Sequence, residues 1–277
     1  MGYGAMQLRR DMGTRLEVIA VLRRAIDLGV NHIDTAQFYA DGFVNGVIGE
    51  VLREARHIVV ATKVGADPNP GGKIPLIAAQ RPEQLRASVE DNLRSMGVDQ
   101  LAVVNLRRLD VRPGIAAEGD QIVDIDDQLA VMIAMRDEGK IGAIGLSGVN
   151  LDGLKRAIPV GVACVQNAYS LVSRQFEEML ELCVDQGIAW VPFFPLGGSF
   201  PGWPKVNDQP KVIEVATRIA VTPSQLGLAW LLARKPNILL IPGTASLAHL
   251  EENIASASIT LDQDALAELD AIYSKTA

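Results

Sequence analysis

Positive charge is in short supply in this sequence: 26 Lys and Arg stand against 33 Asp and Glu, a formal net charge of −7. No Lys/Arg cluster interrupts that balance, which argues against a nucleic-acid partner or an anionic membrane surface and leaves a small molecule as the expected ligand. The two cysteines, Cys164 and Cys183, sit in apolar surroundings without a C-x-x-C or metal spacing. Inert reduced thiols are expected, which suits a cytoplasmic protein. The three histidines, His32, His57 and His249, are far apart and none has a second ligand at metal spacing, so no metal site is expected. No apolar run reaches the ~18 residues of a membrane span, and the start lacks a basic region followed by an apolar core. Met1-Gly2 opens like a myristoylation signal, but Met6 stands where that signal needs Ser or Thr.

What is present is a sizeable apolar fraction, 48% of 277 residues, enough for one large α/β barrel or two ordinary domains. The chain reads as strands alternating with helices. After a strand end at Met1 to Met6, where Gly2 and Gly4 permit close backbone approach, helical periodicity runs from Arg15 to Leu28 and Gly29 closes it. Further strands are predicted at 29–33, 57–63, 101–106, 139–147, 162–166, 188–191 and 238–241. Helices are predicted at 44–53, 82–96, 126–138, 151–157, 174–185, 210–219, 223–233, 248–254 and 263–273. Eight strands alternating with helices, with no linker or composition break, give a single-domain (β/α)8 TIM barrel over residues 1–277. No G-x-G-x-x-G follows any strand, which weighs against a Rossmann sheet.

Chemistry in such a barrel belongs at the carboxyl rim, and one stretch there stands out: His32-Ile33-Asp34-Thr35-Ala36-Gln37-Phe38-Tyr39. A phenol titrates at about 10, so Tyr39 can act as an acid near neutrality only if a cation or dipole stabilises its anion. Lys63, at the carboxyl end of the next strand, is that cation. Asp34 and Tyr39 taken alone fit equally a helix-capping carboxylate beside a half-buried ring.

With Asp34, Tyr39 and Lys63 in place, the strings HIDTAQFY, KIGAIGLS, VQNAYSL, PFFPLGG and IPGTASLAHLEEN follow in order, and the chain resembles the aldo-keto reductases over nearly its whole length. The resemblance implies a (β/α)8 barrel that passes hydride from NADPH, less often NADH, to an aldehyde or ketone. It makes Tyr39 the proton donor, Lys63 the cation that lowers its pKa, and Asp34 the group that fixes Lys63 and contacts the nicotinamide ribose. The family's usual Leu-His is here Leu106-Arg107. A guanidinium stays charged and only donates, so Arg107 either orients the carbonyl, recruits an anionic substrate, or pairs with Asp110.

The resemblance also places the cofactor. Gly4, Ala5 and Met6 lie at the first strand end; Ser147 and Gln166, beside Asn167, face the nicotinamide carboxamide, and Gly148 replaces a common Asn. Phe193 stacks on the nicotinamide, and Leu196, Gly197 and Gly198 offer backbone groups to the pyrophosphate. Thr244, Ser246 and the following helix start receive a 2′-phosphate, Glu252 and Asn253 meet the adenine, and Gly243 and His249 replace a frequent Lys and Arg. The family's amino-terminal hairpin is not matched, so either the start is misassigned or that face of the barrel is open; its long carboxyl-terminal loop is not matched either, which implies an open pocket walled by residues 65–80 and 109–123. Two rival readings are a catalytically weak NADP(H)-binding sensor on the same barrel and a Schiff-base enzyme using Lys63. A monomer or small homo-oligomer is expected.

Overall fold

The computed structural model describes residues 1–8, 14–72, 74–112, 114–198 and 202–272. In chain order its elements are β1 (Tyr3–Gly4), α1 (Arg15–Asp27), β2 (His32–Asp34), α2 (Phe43–Leu52), β3 (Val59–Val64), β4 (Ala66–Pro68), β5 (Leu76–Ala78), α3 (Pro82–Met96), β6 (Leu101–Arg107) and α4 (Ile125–Asp137). There follow β7 (Ile141–Ser147), α5 (Leu151–Ala157), β8 (Cys164–Gln166), α6 (Glu177–Asp185), β9 (Ala189–Trp190), α7 (Pro210–Arg218), α8 (Pro223–Arg234), α9 (Leu247–Ala255) and α10 (Gln263–Asp270). Seven strands pair in parallel in the order β1-β2-β3-β6-β7-β8-β9, with helices between them. This is the (β/α)8 barrel.

The eighth barrel position differs from the expectation of a strand at 238–241. That segment is extended and closes the barrel, yet it forms only one isolated bridge, Trp190 with Ile238. Leu239 N–H donates to the Trp190 carbonyl at 2.9 Å on one side, and Gly2 N–H to the Leu240 carbonyl at 2.7 Å on the other. The bond that would return to the Gly2 carbonyl has to come from residue 242. That residue is proline and has no N–H, so the ladder loses this bond. Beyond it the Gly4 N–H still donates to the Pro242 carbonyl at 3.4 Å, and close approach holds the seam as well. A Cβ on Gly4 would meet the Ile241 carbonyl oxygen at 2.4 Å, and one on Gly243 would meet the Gly4 oxygen at 2.3 Å.

Local chemistry explains most element ends. Thr14 and Glu17 cap α1 reciprocally, the Thr14 hydroxyl accepting from the Glu17 N–H at 3.3 Å and the Glu17 carboxylate from the Thr14 N–H at 2.5 Å. Gly29, at φ 90°, ends the same helix as its sequence predicts. The helix expected from Arg174 starts only at Glu177. The Arg174 guanidinium is engaged elsewhere, donating to the carbonyls of Leu269 and Asp270 at 3.0 Å and Ile272 at 3.1 Å, which caps the end of α10. Tyr273, the expected end of that last helix, lies outside the described residues. Residues 65–80, expected as a loop, contain the antiparallel hairpin β4-β5.

Candidate active site

The strand ends bring the predicted groups together. Asp34 ends β2, Lys63 lies near the end of β3, and Arg107, Ser147 and Gln166 end β6, β7 and β8 in matched register, Arg107 opposite Ser147 and Ser147 opposite Gln166. Parallel strands in register put all of these at one rim. Side chains alternate along β3, so Lys63 reaches Asp34 inside while Thr62 turns outward to α3.

Lys63 is buried and its ammonium is triply engaged: it contacts the Asp34 carboxylate, donates to the Thr35 carbonyl at 2.9 Å and to the Tyr39 hydroxyl at 3.4 Å. Burial alone would lower its pKa, but attraction to Asp34, reinforced by Tyr39, overrides burial and holds its pKa above the usual lysine value. Asp34 has a second partner that the sequence does not reveal. Gln166 Nε2 donates to its other oxygen at 2.6 Å, across a separation of 132 residues.

The phenol departs from expectation. Tyr39 keeps some surface accessible, yet loss of solvation is the largest influence on it and raises its pKa above the ordinary value. The pull of Lys63 and, more weakly, of Arg107 lowers it by less than burial raises it. The ion pair contributes to this: Asp34 offsets part of the field that Lys63 exerts on the hydroxyl. Tyr39 therefore stands as a protonated donor, not as a phenol poised to ionise.

Arg107 does not pair with Asp110. Asp110 is held by Arg108, at 2.9 Å from Nη2, and Arg108 also donates to the Val123 carbonyl at 2.9 Å. The Arg107 guanidinium lies over the Phe38 ring, 5.3 Å from its centroid, and makes no hydrogen bond or ion pair with the described residues. Its main chain is pinned from behind. The buried Gln80 amide donates to the Arg107 carbonyl at 2.9 Å and to the Gly65 carbonyl at 2.5 Å, tying the ends of β6 and β3 together.

Behind the Asp34–Tyr39 turn runs a buried polar network that sequence reading passed over. Thr35 Oγ1 donates to Asn45 Oδ1 at 2.9 Å; Asn45 Nδ2 donates to Gln37 Oε1 at 2.6 Å and to Asn92 Oδ1 at 2.9 Å. Thr62 Oγ1 also donates to Asn92 Oδ1, at 2.6 Å, and Asn92 Nδ2 to the Ser88 carbonyl at 2.8 Å. Thr35 adjoins Asp34 and Thr62 adjoins Lys63, so this network fixes both members of the ion pair by their neighbours. Asn45 and Asn92 in helices with apolar neighbours were the available sequence signal.

The rim also has groups suited to a nicotinamide dinucleotide. Because a carboxylate only accepts, the Gln166 amide must turn its NH2 to Asp34, which leaves Oε1 buried with no partner among the described residues. An unmet buried acceptor costs about 1–3 kcal/mol, relieved by an incoming amide donor. Ser147, next to it, is buried and has a hydroxyl to give. Asn167 is already committed, clasping Val149 through its N–H at 3.2 Å and its carbonyl at 2.8 Å. Phe193 is half-buried and edge-on to Phe194, centroids 5.2 Å apart.

In the loop beyond, the Leu196 carbonyl accepts from Val206 at 3.0 Å and the Gly197 amide donates to the Phe194 carbonyl at 2.9 Å, so these two backbone groups are taken. Gly4 and Gly243 serve the barrel seam; Ala5 is wholly buried, and Met6, 44% exposed, has a side chain open to a ligand. At α9 the Thr244 hydroxyl accepts from the Ser246 N–H at 3.0 Å and the Ser246 hydroxyl from the His249 N–H at 3.4 Å. Both hydroxyls still have a proton to offer an anion at this helix start. His249 and Glu252 are exposed and Asn253 half-buried.

Taken together, the fold and rim define a parallel barrel with a tyrosine hydroxyl backed by a buried Lys–Asp pair at its carboxyl end. Comparison with known proteins narrows this. The profile of the Aldo/keto reductase family matches residues 1–274. Pyridoxine 4-dehydrogenase of Escherichia coli (strain K12) is 41% identical over 282 residues, covering 98% of this chain and 94% of that protein. The aldo-keto reductase yakc [NADP(+)] of Schizosaccharomyces pombe is 28% identical, covering 97% of this chain and 86% of its own length. The crystal structure of an aldo/keto reductase from Klebsiella pneumoniae with NADP and acetate superposes with a TM-score of 0.78 at 29% identity, covering 98% of this chain and 90% of that one. The chain belongs to the aldo/keto reductase family, and is an oxidoreductase of carbonyl groups that works with a nicotinamide dinucleotide.

Proposed function

We propose that residues 1–277 form one barrel domain that reduces an aldehyde or ketone with NADPH, Tyr39 giving the proton. The observation that carries this reading is the contact of Lys63 with both Asp34 and Tyr39 at the rim where the Gln166 acceptor has no partner. Bound NADPH supplies the hydride to the carbonyl carbon. The Tyr39 hydroxyl gives its proton to the carbonyl oxygen, so the product is the alcohol. The phenolate left behind is stabilised by the Lys63 ammonium and the Arg107 guanidinium until solvent restores the proton. Asp34 holds Lys63 in place and keeps it charged.

That same charge speaks against Schiff-base chemistry. An amine nucleophile needs a free lone pair, and the raised pKa of Lys63 keeps it protonated. Gln166 and Ser147 would hold the carboxamide, Phe193 the nicotinamide face, and Leu196 to Gly198 the pyrophosphate through groups other than the two already paired. Gly4 to Met6 would border it. Thr244 and Ser246 at the start of α9, with Gly243 and His249 nearby, would take the 2′-phosphate, and Glu252 and Asn253 the adenine; the NADP-bound neighbour supports NADPH over NADH. A monomer or small homo-oligomer in the cytoplasm fits the two buried free thiols, and among the described residues no helix is long and apolar enough to cross a membrane.

The test is fluorescence titration with NADPH and NADH, followed by NADPH oxidation over an aldehyde panel. Pyridoxal belongs in that panel because of the name of the Escherichia coli relative. Tight NADPH binding with turnover that vanishes in Tyr39→Phe is expected. Binding without oxidation of any member would favour the sensor reading.

A further inference from the structure

The charge balance at the rim leaves one group over. Lys63 is neutralised by Asp34, Arg108 by Asp110, and Arg81 by Asp120 at 2.6 Å. Arg107 alone among these cations has no carboxylate, and it sits half-buried at the strand end next to the proton donor. Among the described residues its guanidinium lies over the face of Phe38, whose ring is in turn edge-on to Tyr39 with centroids 5.2 Å apart. A ring face orients a guanidinium without using its five donors.

The setting is also fixed in advance. Gln80 pins the Arg107 carbonyl, and Gln128 holds Gln80 from behind, its Nε2 donating to the Gln80 carbonyl at 2.6 Å and to Oε1 at 3.0 Å. Gly114, in the 109–123 loop, lies beside the guanidinium: a Cβ on it would meet Nη2 at 3.3 Å. Gln121 of that loop accepts from the Gln80 N–H at 2.8 Å. A partly desolvated cation whose own backbone is clamped and whose donors have no partner among the described residues is suited to an anion.

We propose that Arg107 is a specificity-determining residue that binds an ionised oxygen of the substrate beside the reacting carbonyl, 2-oxo carboxylates being the simplest such class. This deepens the carbonyl-reductase reading and rests on it. The carbonyl oxygen itself faces Tyr39. Arg107 takes the second, anionic oxygen, and its planar fork accepts a carboxylate through two parallel bonds. Burial is the largest influence on the guanidinium and lowers its pKa, the sense in which an incoming anion would be rewarded. Arg107 thus discriminates between charged and neutral carbonyls in addition to any help it gives both through Tyr39.

The experiment compares phenylglyoxylate with its methyl ester, which present the same ketone with and without the charge. The ratio of their kcat/KM values is read in the wild type, Arg107→Gln and Arg107→Lys. Arg107→Gln is expected to lower the acid-to-ester ratio by about 10- to 100-fold, the worth of a hydrogen bond to a charged group, and Arg107→Lys to keep part of it. A binding arm titrates mandelate and mandelamide calorimetrically into the NADPH-loaded protein, where no hydride can move. Wild type should prefer mandelate, and Arg107→Gln should lose that preference.

A ratio that is unchanged in Arg107→Gln, equal losses for acid and ester, or a wild type indifferent to mandelate over mandelamide would each overturn the proposal. If Arg107→Gln does not fold, the wild type and Arg107→Lys decide the matter by the same ratio and titrations. If no carbonyl is reduced at all, the reductase reading fails, while the mandelate titration still tests the anion site by itself.

Discussion

Replacing Lys63 with methionine separates what the buried cation does for the fold from what it does for the chemistry. In the wild type the Asp34 carboxylate is buried against two donors, the Lys63 ammonium and, at 2.6 Å, the Gln166 amide. Methionine fills much of the same space but removes the charge, so Asp34 is left as a buried anion with one neutral donor. Breaking a buried pair from one side costs about 3–5 kcal/mol, and the surviving Gln166 bond places the loss at the lower end, about 3 kcal/mol. Part of that loss comes from the Thr35 carbonyl, which gives up its 2.9 Å partner. Urea unfolding at pH 7, with linear extrapolation, measures it.

The double variant Asp34→Asn/Lys63→Met removes the stranded charge and is expected to return to within about 1 kcal/mol of the wild type. Turnover behaves differently. Without the ammonium the phenolate formed on proton transfer loses its nearest counter-charge, and kcat should fall by about 10²- to 10⁴-fold in both variants. If single and double variants were equally unstable, the loss would be one of packing and the account of a stranded carboxylate would be wrong. If the double variant recovered activity with stability, Lys63 would be structural only.

The network behind the turn makes a second prediction: Asn92→Leu strands the Thr62 hydroxyl and one Asn45 donor, so stability should fall by about 2–4 kcal/mol and kcat/KM with it, while Ser95→Ala, at the network's edge, costs under ~1 kcal/mol by the same denaturation assay. The thiols make a third. Burial pushes both Cys164 and Cys183 up to about 12, so the folded state keeps protons that the unfolded chain sheds near ~8.5. Their contribution is fully present below that value and drains as pH rises toward 12, about 1.4 kcal/mol per pH unit for each thiol. Denaturation midpoints between pH 8 and 11 should therefore fall less steeply in Cys183→Ala than in the wild type; parallel curves would refute the assignment.

Residue type and strand position made Asp34, Tyr39 and Lys63 legible, because a strand rich in β-branched residues announces its own carboxyl end and parallel neighbours share a rim. Helix starts were equally plain where Pro82, Pro210 and Pro223 stand at first turns. What stayed hidden depends on contacts between distant residues. Nothing local links Gln166 to Asp34, or Arg174 to the end of α10. The incomplete eighth strand follows from one missing N–H at Pro242, a detail that matters only once Gly2 is its neighbour. Gly4 read as a place of close backbone approach, and what approaches it is the Ile241 carbonyl of the closing segment; Gly243 in turn lies against the Gly4 carbonyl and the Gln7 side chain. Asp110 was one of the partners open to Arg107, yet side-chain direction gives it to Arg108.

The sign of the Tyr39 shift is the most instructive of these differences. A cation next to a phenol suggests a lowered pKa, but an ion pair is not a cation. With Asp34 against Lys63 the field at the hydroxyl is that of a dipole, and burial prevails. A proton donor gains from this arrangement. In the proposed mechanism Tyr39 holds its proton at neutral pH and so is ready to donate it, and the stabilisation offered by Lys63 and Arg107 would grow only as negative charge develops on the phenol oxygen. That is stabilisation of the transition state over the ground state, the kind that raises kcat. Under the proposed role of Arg107, an anion bound there would hold the carbonyl against Tyr39, while Lys63, held by Asp34, answers the phenolate as it forms.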